Sequence, residues 1–280
     1  MEIRITTLSE NTAGMGECLA EWGLSILVET EGAKILLDTG KSFSAVHNAE
    51  ALGVDLYQID RIVLSHGHSD HTGGLREVLR RMKKEVEIIA HPDVWQAKYS
   101  RRKDEPERYI GIPFQRNALE SLGARFKLTK QPLKIADDIM TTGEVPMVTG
   151  YETIDSALYV KDDAGLRPDQ VMDDLAVIVK TRQGLVIVLG CAHRGMINTI
   201  YHAQQITGIN KIYAVVGGSH LIGASEKCLW QTIDALRELD VQKLGLCHCT
   251  DLLAVSVLYQ EFRESFFFNK SGTRVDLLKA

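Results

Sequence analysis

Three histidines and one aspartate crowd into six residues of this chain, directly after a short apolar run that is typical of a buried strand. Neutral imidazole nitrogens and carboxylate oxygens are ligands that zinc and similar divalent ions prefer. Because the first two histidines are two residues apart, an extended backbone points both toward one ion, and a turn can aim the next two side chains at a second ion. The pattern predicts a metal site formed by His66, His68, Asp70 and His71.

The alternative interpretation of this segment is a polar loop that is merely rich in histidine. Four such side chains would repel one another on protonation and would gain little without a cation, which favours the metal site. Gly67, Gly73 and Gly74 are expected to give the loop the conformational freedom that a tight turn requires.

The pattern His-x-His-x-Asp-His resembles the signature of the metallo-β-lactamase superfamily. The segment 36–40 is similar to an early strand end of that superfamily, and its Asp38 would orient the metal loop. Five later segments resemble, in order, the branch named after the archaeal 7,8-dihydropterin-6-methyl-4-(β-D-ribofuranosyl)aminobenzene-5′-phosphate synthase: residues 142–146, 173–176, 190–195, 217–221 and 248–250. The resemblance runs from Glu21 to the C-terminus. It implies an α/β fold, the αββα sandwich of two mixed sheets flanked by helices, with one or two ions at its edge.

The resemblance also implies that two later histidines complete the site. His193 would bind the first ion, and His248, which ends a strand-like run, would bind the second. In the superfamily an aspartate that bridges the ions usually follows a glycine, and this chain has Cys191 at that position. A thiolate can bind zinc, but a free cysteine is most often a small buried side chain, so a ligand role for Cys191 and a count of one or two ions both stay open. Zn²⁺ is the expected metal, with Mn²⁺ or Fe²⁺ as alternatives.

Several other side chains near these positions could take part in the chemistry. His220 follows two glycines at a strand end, so it could donate to a substrate oxyanion, act as general acid, or pack behind the ligands. Asp173 and Asp174 could approach the ions, although acidic residues before a strand are commonly turn residues. On an extended backbone Cys247 and Cys249 should point away from the histidine between them, so both are expected to lie outside the site.

The elements that must position these side chains follow one plan. Nine strand-like runs recur, at 24–30, 34–38, 61–65, 86–90, 157–161, 175–181, 185–189, 212–216 and 243–247. In four units an apolar strand leads into a histidine-bearing loop and then into a helix with apolar residues at helical spacing. Since loops at the carboxyl ends of strands converge in α/β layers, the four loops are expected to meet. The pattern continues without a linker, which favours a single domain over 1–280.

The chemistry follows from the predicted ions. A divalent ion lowers the pKa of its water from 15.7 to about 7, and two ions can clamp the reacting oxygens of a phosphoryl or carbonyl group. Asp70 would bind the second ion and orient the hydroxide. The sequence therefore predicts an enzyme, a metal-dependent hydrolase that uses a metal-bound hydroxide on a small, phosphorylated or heterocyclic substrate. The resemblance offers an alternative, the condensation of a dihydropterin diphosphate with an aminobenzene ribofuranosyl phosphate. A non-catalytic metal-binding sensor or interaction protein is the third hypothesis.

The segment 95–116 is basic, aromatic and without regular periodicity, and we interpret it as a lid insertion over the site. Arg101 and Arg102 could hold a phosphate or diphosphate of the substrate. The alternative is a charge-dense, solvated loop, since acidic residues lie among the basic ones.

Composition narrows the class of protein. The chain has 280 residues, and 45% of them are apolar, which is ample for a core. A net charge of −5 argues against nucleic-acid binding, so the expected partner is a small-molecule substrate, and a homo-oligomer stays open. Residues 1–5 are strand-like rather than a signal segment, and no run is long enough to span a membrane. Five cysteines without disulfide-like spacing indicate a cytoplasmic protein.

Overall fold

Two large β-sheets lie face to face in the computed structural model, which describes residues 2–277. In chain order the strands are β1 (Arg4–Ser9), β2 (Ser25–Glu29), β3 (Lys34–Leu37), β4 (Arg61–Val63), β5 (Val86–Ala90), β6 (Ala97–Ser100), β7 (Arg108–Tyr109), β8 (Ala124–Leu128), β9 (Leu133–Lys134), β10 (Ile139–Thr141), β11 (Leu158–Asp162), β12 (Gly165–Pro168), β13 (Ala176–Thr181), β14 (Gly184–Leu189), β15 (Ile212–Gly218), β16 (Lys243–Cys247) and β17 (Arg274–Asp276). The helices are α1 (Ser44–Ala51), α2 (Ser69–Thr72), α3 (Leu75–Met82), α4 (Arg116–Glu120), α5 (Met196–Thr207), α6 (Glu226–Glu238) and α7 (Leu252–Phe262). Met1, the first residue of the strand-like run 1–5, lies outside the described residues.

The two large sheets are mixed, as predicted. The first has the strand order β17-β1-β2-β3-β4-β5-β8, and the second has the order β16-β15-β14-β13-β10-β9. Strands β3, β4, β5 and β8 run parallel, and so do β14, β15 and β16. The other neighbouring pairs in these two sheets are antiparallel. The nine predicted strands are confirmed, each within two residues of its expected bounds.

Alternating side chains along the strands separate the layers. In β3, Ile35 and Leu37 pack between the two sheets, whereas Leu36 faces the helices α1 and α3. In β14, Val186 and Val188 pack between the sheets, and their neighbours pack against α5, α6 and α7. Burying a large apolar side chain contributes about 1.5–3 kcal/mol, so both faces of each sheet need a cover. The result is the predicted αββα sandwich.

The carboxyl ends of the parallel strands bring the histidine-bearing loops to one edge of the sandwich. Strand β4 leads into the His-x-His-x-Asp-His segment, and β14, β15 and β16 lead into the loops of His193, His220 and His248. Because β14, β15 and β16 are parallel neighbours, their following loops are adjacent. The predicted convergence of the four loops is confirmed.

A third sheet contains part of the predicted lid. Its four antiparallel strands have the order β12-β11-β6-β7. Within the segment 95–116, β6 is ordered sheet, and the stretch 101–109, which consists of the turn 101–107 and β7, is exposed throughout. Among the described residues no helix combines the length and the apolar character needed to cross a membrane.

Candidate metal centre

All six predicted ligands lie together where the histidine-bearing loops meet. Their donor atoms form two sets, and within each set the atoms lie within 4.8 Å of one another. The first ligand set is His66, His68 and His193, and the second ligand set is Asp70, His71 and His248. The rings of His66 and His71 have centroids 4.3 Å apart, so the two sets are neighbours.

The first ligand set consists of buried, uncharged rings. Nε2 of His68 and both ring nitrogens of His193 are buried and have no hydrogen-bond partner within residues 2–277. Burial lowers the pKa of His68 to about 3, and it holds the pKa values of His66 and His193 well below their usual range. An unsatisfied buried nitrogen costs about 1–3 kcal/mol. A divalent ion would satisfy these nitrogens, because zinc and related metals take neutral imidazole as ligand.

The second ligand set is hydrogen-bonded and charged. Nδ1 of His71 lies 2.7 Å from Oδ2 of Asp38, and Nδ1 of His248 lies 2.9 Å from Oδ1 of Asn11. Burial alone would lower the pKa of His71, but the carboxylates of Asp38 and Asp70 outweigh it and raise this pKa to about 9. Burial would raise the pKa of Asp70, yet His71 and His248 bring it far below its usual range. An ion must therefore displace a proton from His71 to bind here.

Asp38 connects the two ligand sets through hydrogen bonds. Its Oδ1 accepts the backbone N–H of Ser65 at 2.7 Å, and its Oδ2 accepts the Ser65 hydroxyl at 2.6 Å and lies next to His71. The Ser65 hydroxyl lies 2.9 Å from Nδ1 of His66. Since that hydroxyl donates to Asp38, it accepts from Nδ1–H of His66, which leaves the lone pair of this ring on Nε2. Asp38 thus orients one ring in each set, which is the role expected from the sequence.

A buried lysine supports the first ligand set. Lys98 of β6 is fully buried, and its Nζ donates to Oδ2 of Asp169 and Oδ1 of Asp173, both at 2.8 Å. The other oxygen of Asp173 accepts the backbone N–H of Gly67, at the centre of the His-x-His pair, at 2.8 Å. Sequence reasoning missed Lys98, because its partners lie 71 and 75 residues away and no local pattern marks them.

The glycines of the metal loop provide space rather than conformational freedom, so that expectation is wrong. Gly73 and Gly74 adopt ordinary helical φ values of −68° and −79°. A Cβ on Gly74 would lie 2.0 Å from the carbonyl oxygen of Thr39, and one on Gly67 would lie 2.3 Å from that of Val94. Another residue at either position would force two backbone segments apart.

Two cysteines lie inside the centre. Sγ of Cys191 is 3.0 Å from Nε2 of His71. The prediction that Cys249 points away from the site is wrong, because His248 has a φ of 55° and begins a short 3₁₀ turn, so the backbone is not extended there. Cys249 forms a possible ligand group with Cys191 and His248. Cys247 does point away, into the core between the two sheets.

His220 lies beside the first ligand set. Its ring centroid is 4.1 Å from that of His193, and its Nδ1 is buried without a hydrogen-bond partner in the described part of the chain. Burial would lower the pKa of His220, but the sulfur of Cys249 and nearby carboxylates outweigh it and raise this pKa. A histidine with a raised pKa suits a proton donor.

The two acidic residues before β13 lie outside both ligand sets. Asp173 supports the metal loop, and Oδ2 of Asp174 accepts the backbone N–H of Arg194 at 2.8 Å. Burial raises the pKa of Asp174 to about 7, which suits a group that caps a loop rather than a permanently ionised ligand. His91 and His202 also lie outside these sets, and each bonds elsewhere, to Glu144 and to a backbone carbonyl.

A cleft of about 660 Å³ opens beside His193 and His220, and its other walls come mainly from 151–156 and 219–225. Small-molecule sites typically measure about 300–1,000 Å³. Arg102 lines this cleft, with Nη2 3.3 Å from Oδ2 of Asp155, whereas Arg101 is not among the lining residues. The structure therefore brings one of the two predicted substrate-binding arginines to the cleft.

Comparisons with known proteins agree with this geometry. The sequence model of the Metallo-beta-lactamase superfamily matches residues 23–194. The chain is 34% identical to the 7,8-dihydropterin-6-methyl-4-(beta-D-ribofuranosyl)-aminobenzene-5'-phosphate synthase of Methanocaldococcus jannaschii, over 94% of this chain and 93% of that one. A solved metal-dependent hydrolase of the β-lactamase superfamily is 27% identical, with a TM-score of 0.85 over 98% of both chains. Zn²⁺-bound PqqB from Methylobacterium extorquens, 12% identical over 99% of this chain and 100% of that one, has a TM-score of 0.56 and shares the fold.

Proposed function

This chain belongs to the metallo-β-lactamase superfamily, and from that premise we propose that it is an enzyme, a metal-dependent hydrolase of a small, phosphorylated or heterocyclic substrate. The observation that carries the proposal is the group of buried nitrogens on His68 and His193 that have no hydrogen-bond partner among the described residues. They lie where the first ligand set meets the cleft, since His193 belongs to both. Such nitrogens are costly unless an ion binds them, and an ion beside a cleft can act on a molecule within it.

The proposed metal-binding residues are the six members of the two ligand sets. When bound, divalent ions such as Zn²⁺ supply Lewis acidity and lower the pKa of a coordinated water toward 7. Asp70 is the carboxylate of these sets, and it faces Nε2 of His248 at 3.6 Å and Nε2 of His71 at 3.9 Å. We assign it to the second ion and to the orientation of the attacking water. Asp38 holds the His71 ring in the orientation in which it would bind the second ion.

Two residues of the cleft are assigned to the substrate. His220 lines the cleft, so its ring can donate a proton to the leaving group or hold a developing oxyanion. Arg102 also lines this cleft. Its guanidinium contacts Asp155 and can bind an anionic substituent of the substrate at the same time. The exposed turn 101–107 that carries Arg102 is the part of 95–116 that we retain as a lid.

A second candidate function is the condensation of a dihydropterin diphosphate with an aminobenzene ribofuranosyl phosphate. The observation that favours it is the 34% identity to a synthase of that name over 94% of the chain. In such a reaction His220 and Arg102 would face the departing diphosphate rather than the substrate fragment that hydrolysis releases. The two functions use the same side chains, so only the products separate them.

The first test is metal content and turnover measured on the same preparation. Protein purified without chelator is analysed for zinc, iron and manganese per chain, then stripped and reloaded. Each form is assayed on phosphodiesters, diphosphates and lactones. It is also assayed on the dihydropterin diphosphate together with the aminobenzene ribofuranosyl phosphate, and release of pyrophosphate is monitored separately. A hydrolase turns over a phosphodiester, a diphosphate or a lactone only when metal is bound. A synthase releases pyrophosphate only when the dihydropterin diphosphate and the aminobenzene ribofuranosyl phosphate are both present.

A non-catalytic metal-binding protein would behave differently. Metal removal would lower its thermal stability and leave every assay at background. That outcome would contradict both proposed activities. His47, which is exposed and lies outside both ligand sets, provides the matched control, since His47→Ala should change neither metal content nor turnover.

A further inference from the structure

The sulfur atom of Cys191 lies between the two ligand sets. It belongs to one possible ligand group with His66 and His71, to another with His193 and His220, and to a third with His248. In each group the donor atoms lie within 4.8 Å of one another, and the side chain is 3% exposed. Among the described residues, Cys191 takes part in more of these groups than any other side chain.

Cys249 reaches the same place from the other side. Its Sγ accepts the backbone N–H of His220 at 3.2 Å, and it lies 3.5 Å from the carbonyl oxygen of Cys191. It shares a ligand group with Cys191 and His248. The left-handed backbone at His248, with φ of 55°, is what turns it there, and this conformation is uncommon for residues other than glycine.

Two divalent ions in this centre would be stabilised by negative charge beyond that of Asp70, and these thiols can supply it as thiolates. Two divalent ions would bring four positive charges into a buried site, and Asp70 is the only carboxylate that belongs to a ligand group within residues 2–277. Asp38 is close, but it is engaged by Ser65 and His71. Buried charge is stabilised by opposite charge nearby, so anionic ligands beyond the imidazoles and one carboxylate would stabilise the two ions.

We propose that Cys191 and Cys249 bind the metal centre as thiolates, with Cys191 shared between the first and second ligand sets. This inference rests on the metal-binding part of the proposed function and not on the reaction. It also narrows the metal, because soft sulfur ligands favour Zn²⁺ and Fe²⁺, whereas Mn²⁺ prefers oxygen ligands. The centre would then be a mixed nitrogen, oxygen and sulfur site.

The test uses Co²⁺ alone as the probe, added under reducing conditions to metal-stripped protein. Thiolate bound to Co²⁺ gives a charge-transfer absorption in the near ultraviolet, which imidazole and carboxylate ligands do not give. We expect this absorption in the wild-type protein, a clear reduction in both Cys191→Ser and Cys249→Ser, and its loss when both cysteines are replaced by serine. Cys247→Ser is the matched control, since Cys247 is equally buried but contacts Asn269 and the core, and its absorption should be unchanged.

A second variant guards against a folding defect. Cys191→Asp replaces the thiolate by another anion, so it should keep the bound cobalt per chain and show only the weaker absorption of the Cys249 thiolate. Wild-type protein with full cobalt and no absorption would overturn the proposal, as would full absorption in Cys191→Ser. Full absorption in Cys249→Ser would overturn the assignment of Cys249. The readout needs no turnover, so strong absorption with no activity in any assay would contradict the hydrolase and leave the thiolate ligands standing.

Discussion

The two ligand sets of this centre lie side by side and are prepared for metal in opposite ways. In the first set the rings are uncharged, and Nε2 of His68 and both ring nitrogens of His193 lack hydrogen-bond partners in the part of the chain that the structure describes. In the second set His71 is held by Asp38 and carries a proton up to about pH 9. An ion bound to the first set gives the nitrogens of His68 and His193 a partner. An ion bound to the second set must replace the proton of His71. The comparison teaches that the first ion should bind more tightly at neutral pH and the second should depend on proton concentration.

The residues that hold the two ligand sets in place also differ. Behind the first set, Lys98 is fully buried with Asp169 and Asp173, and Asp173 holds the backbone of Gly67. Behind the second set, Asp38 contacts the ligand ring itself. Damage to the first support should therefore act on folding, and damage to the second should act on metal affinity.

The largest effect is expected at Lys98. Lys98→Met leaves two buried carboxylates without a cation, so it should lower the free energy of unfolding of the metal-free protein by about 3–5 kcal/mol. The measurement is denaturant unfolding of stripped protein. Lys134→Met, which breaks an exposed pair with Asp137, is the control and should leave the free energy of unfolding close to that of the wild-type protein. A Lys98 variant as stable as the control would show that the buried triad does not support the loop.

His68→Ala should remove the first ion. Losing a hydrogen-bond partner of a ligand typically costs about 10–100-fold in metal affinity, so losing the ligand itself should cost about 100-fold or more. We expect one ion fewer per chain and loss of turnover, measured by metal analysis and by the assay that the substrate screen identifies. Full activity with full metal content would contradict the assignment of His68.

Asp38→Asn should weaken the second ion more than the first. The amide can no longer hold His71 as a carboxylate does, so affinity for the second ion should fall by about 10–100-fold. Calorimetric titration of metal into stripped protein separates the two binding phases. Equal weakening of both phases would instead point to the contact that Asp38 makes with Ser65, and through it with His66.

The pH dependence should separate the two sets without any mutation. Because the pKa of His71 is raised to about 9, it is protonated below that pH, and affinity for the second ion should rise at least about tenfold per pH unit up to pH 9. The pKa values of His66, His68 and His193 are lowered, so these ligands stay neutral and their contribution to the first-ion affinity should change little between pH 7 and 9. Titration in buffers of different ionisation enthalpy gives the number of protons released in each phase. No proton released with the second ion would refute the charged state of His71.

The smallest effect is expected at the cleft. Arg102 and Asp155 are both partly exposed, so Arg102→Ala should raise the KM for an anionic substrate by only a few-fold, corresponding to about 1 kcal/mol or less. Arg101→Ala should leave the KM unchanged, because Arg101 is not among the residues that line the cleft. Identical effects of both variants would mean that the turn 101–107 closes over the substrate in a different arrangement from the one described.

The local parts of this protein could be predicted from its sequence. The four ligand-type side chains of the metal loop follow one short strand, so their spacing alone brings them together. The strands were predictable because each is an apolar run, and sheets covered by helices followed because strands alternate with amphipathic helices. The αββα sandwich itself was implied by the resemblance to a family. His193 and His248 needed the resemblance to a family in addition, since nothing in their own segments distinguishes a ligand from a buried histidine.

The tertiary structure decided what depends on contacts between distant segments or on a single backbone angle. Cys249 enters the centre because His248 has positive φ, an angle that no neighbouring residue type encodes. Lys98 supports the metal loop only because β6 pairs with β11 and brings its side chain to carboxylates more than 70 residues away. The sequence by itself determined the metal-ligand types, the strands and the layers, because those arise from local spacing and periodicity. Which thiols, which lysine and which arginine belong to the site was fixed by packing, because burial and charge pairing act between chain segments that sequence order keeps apart.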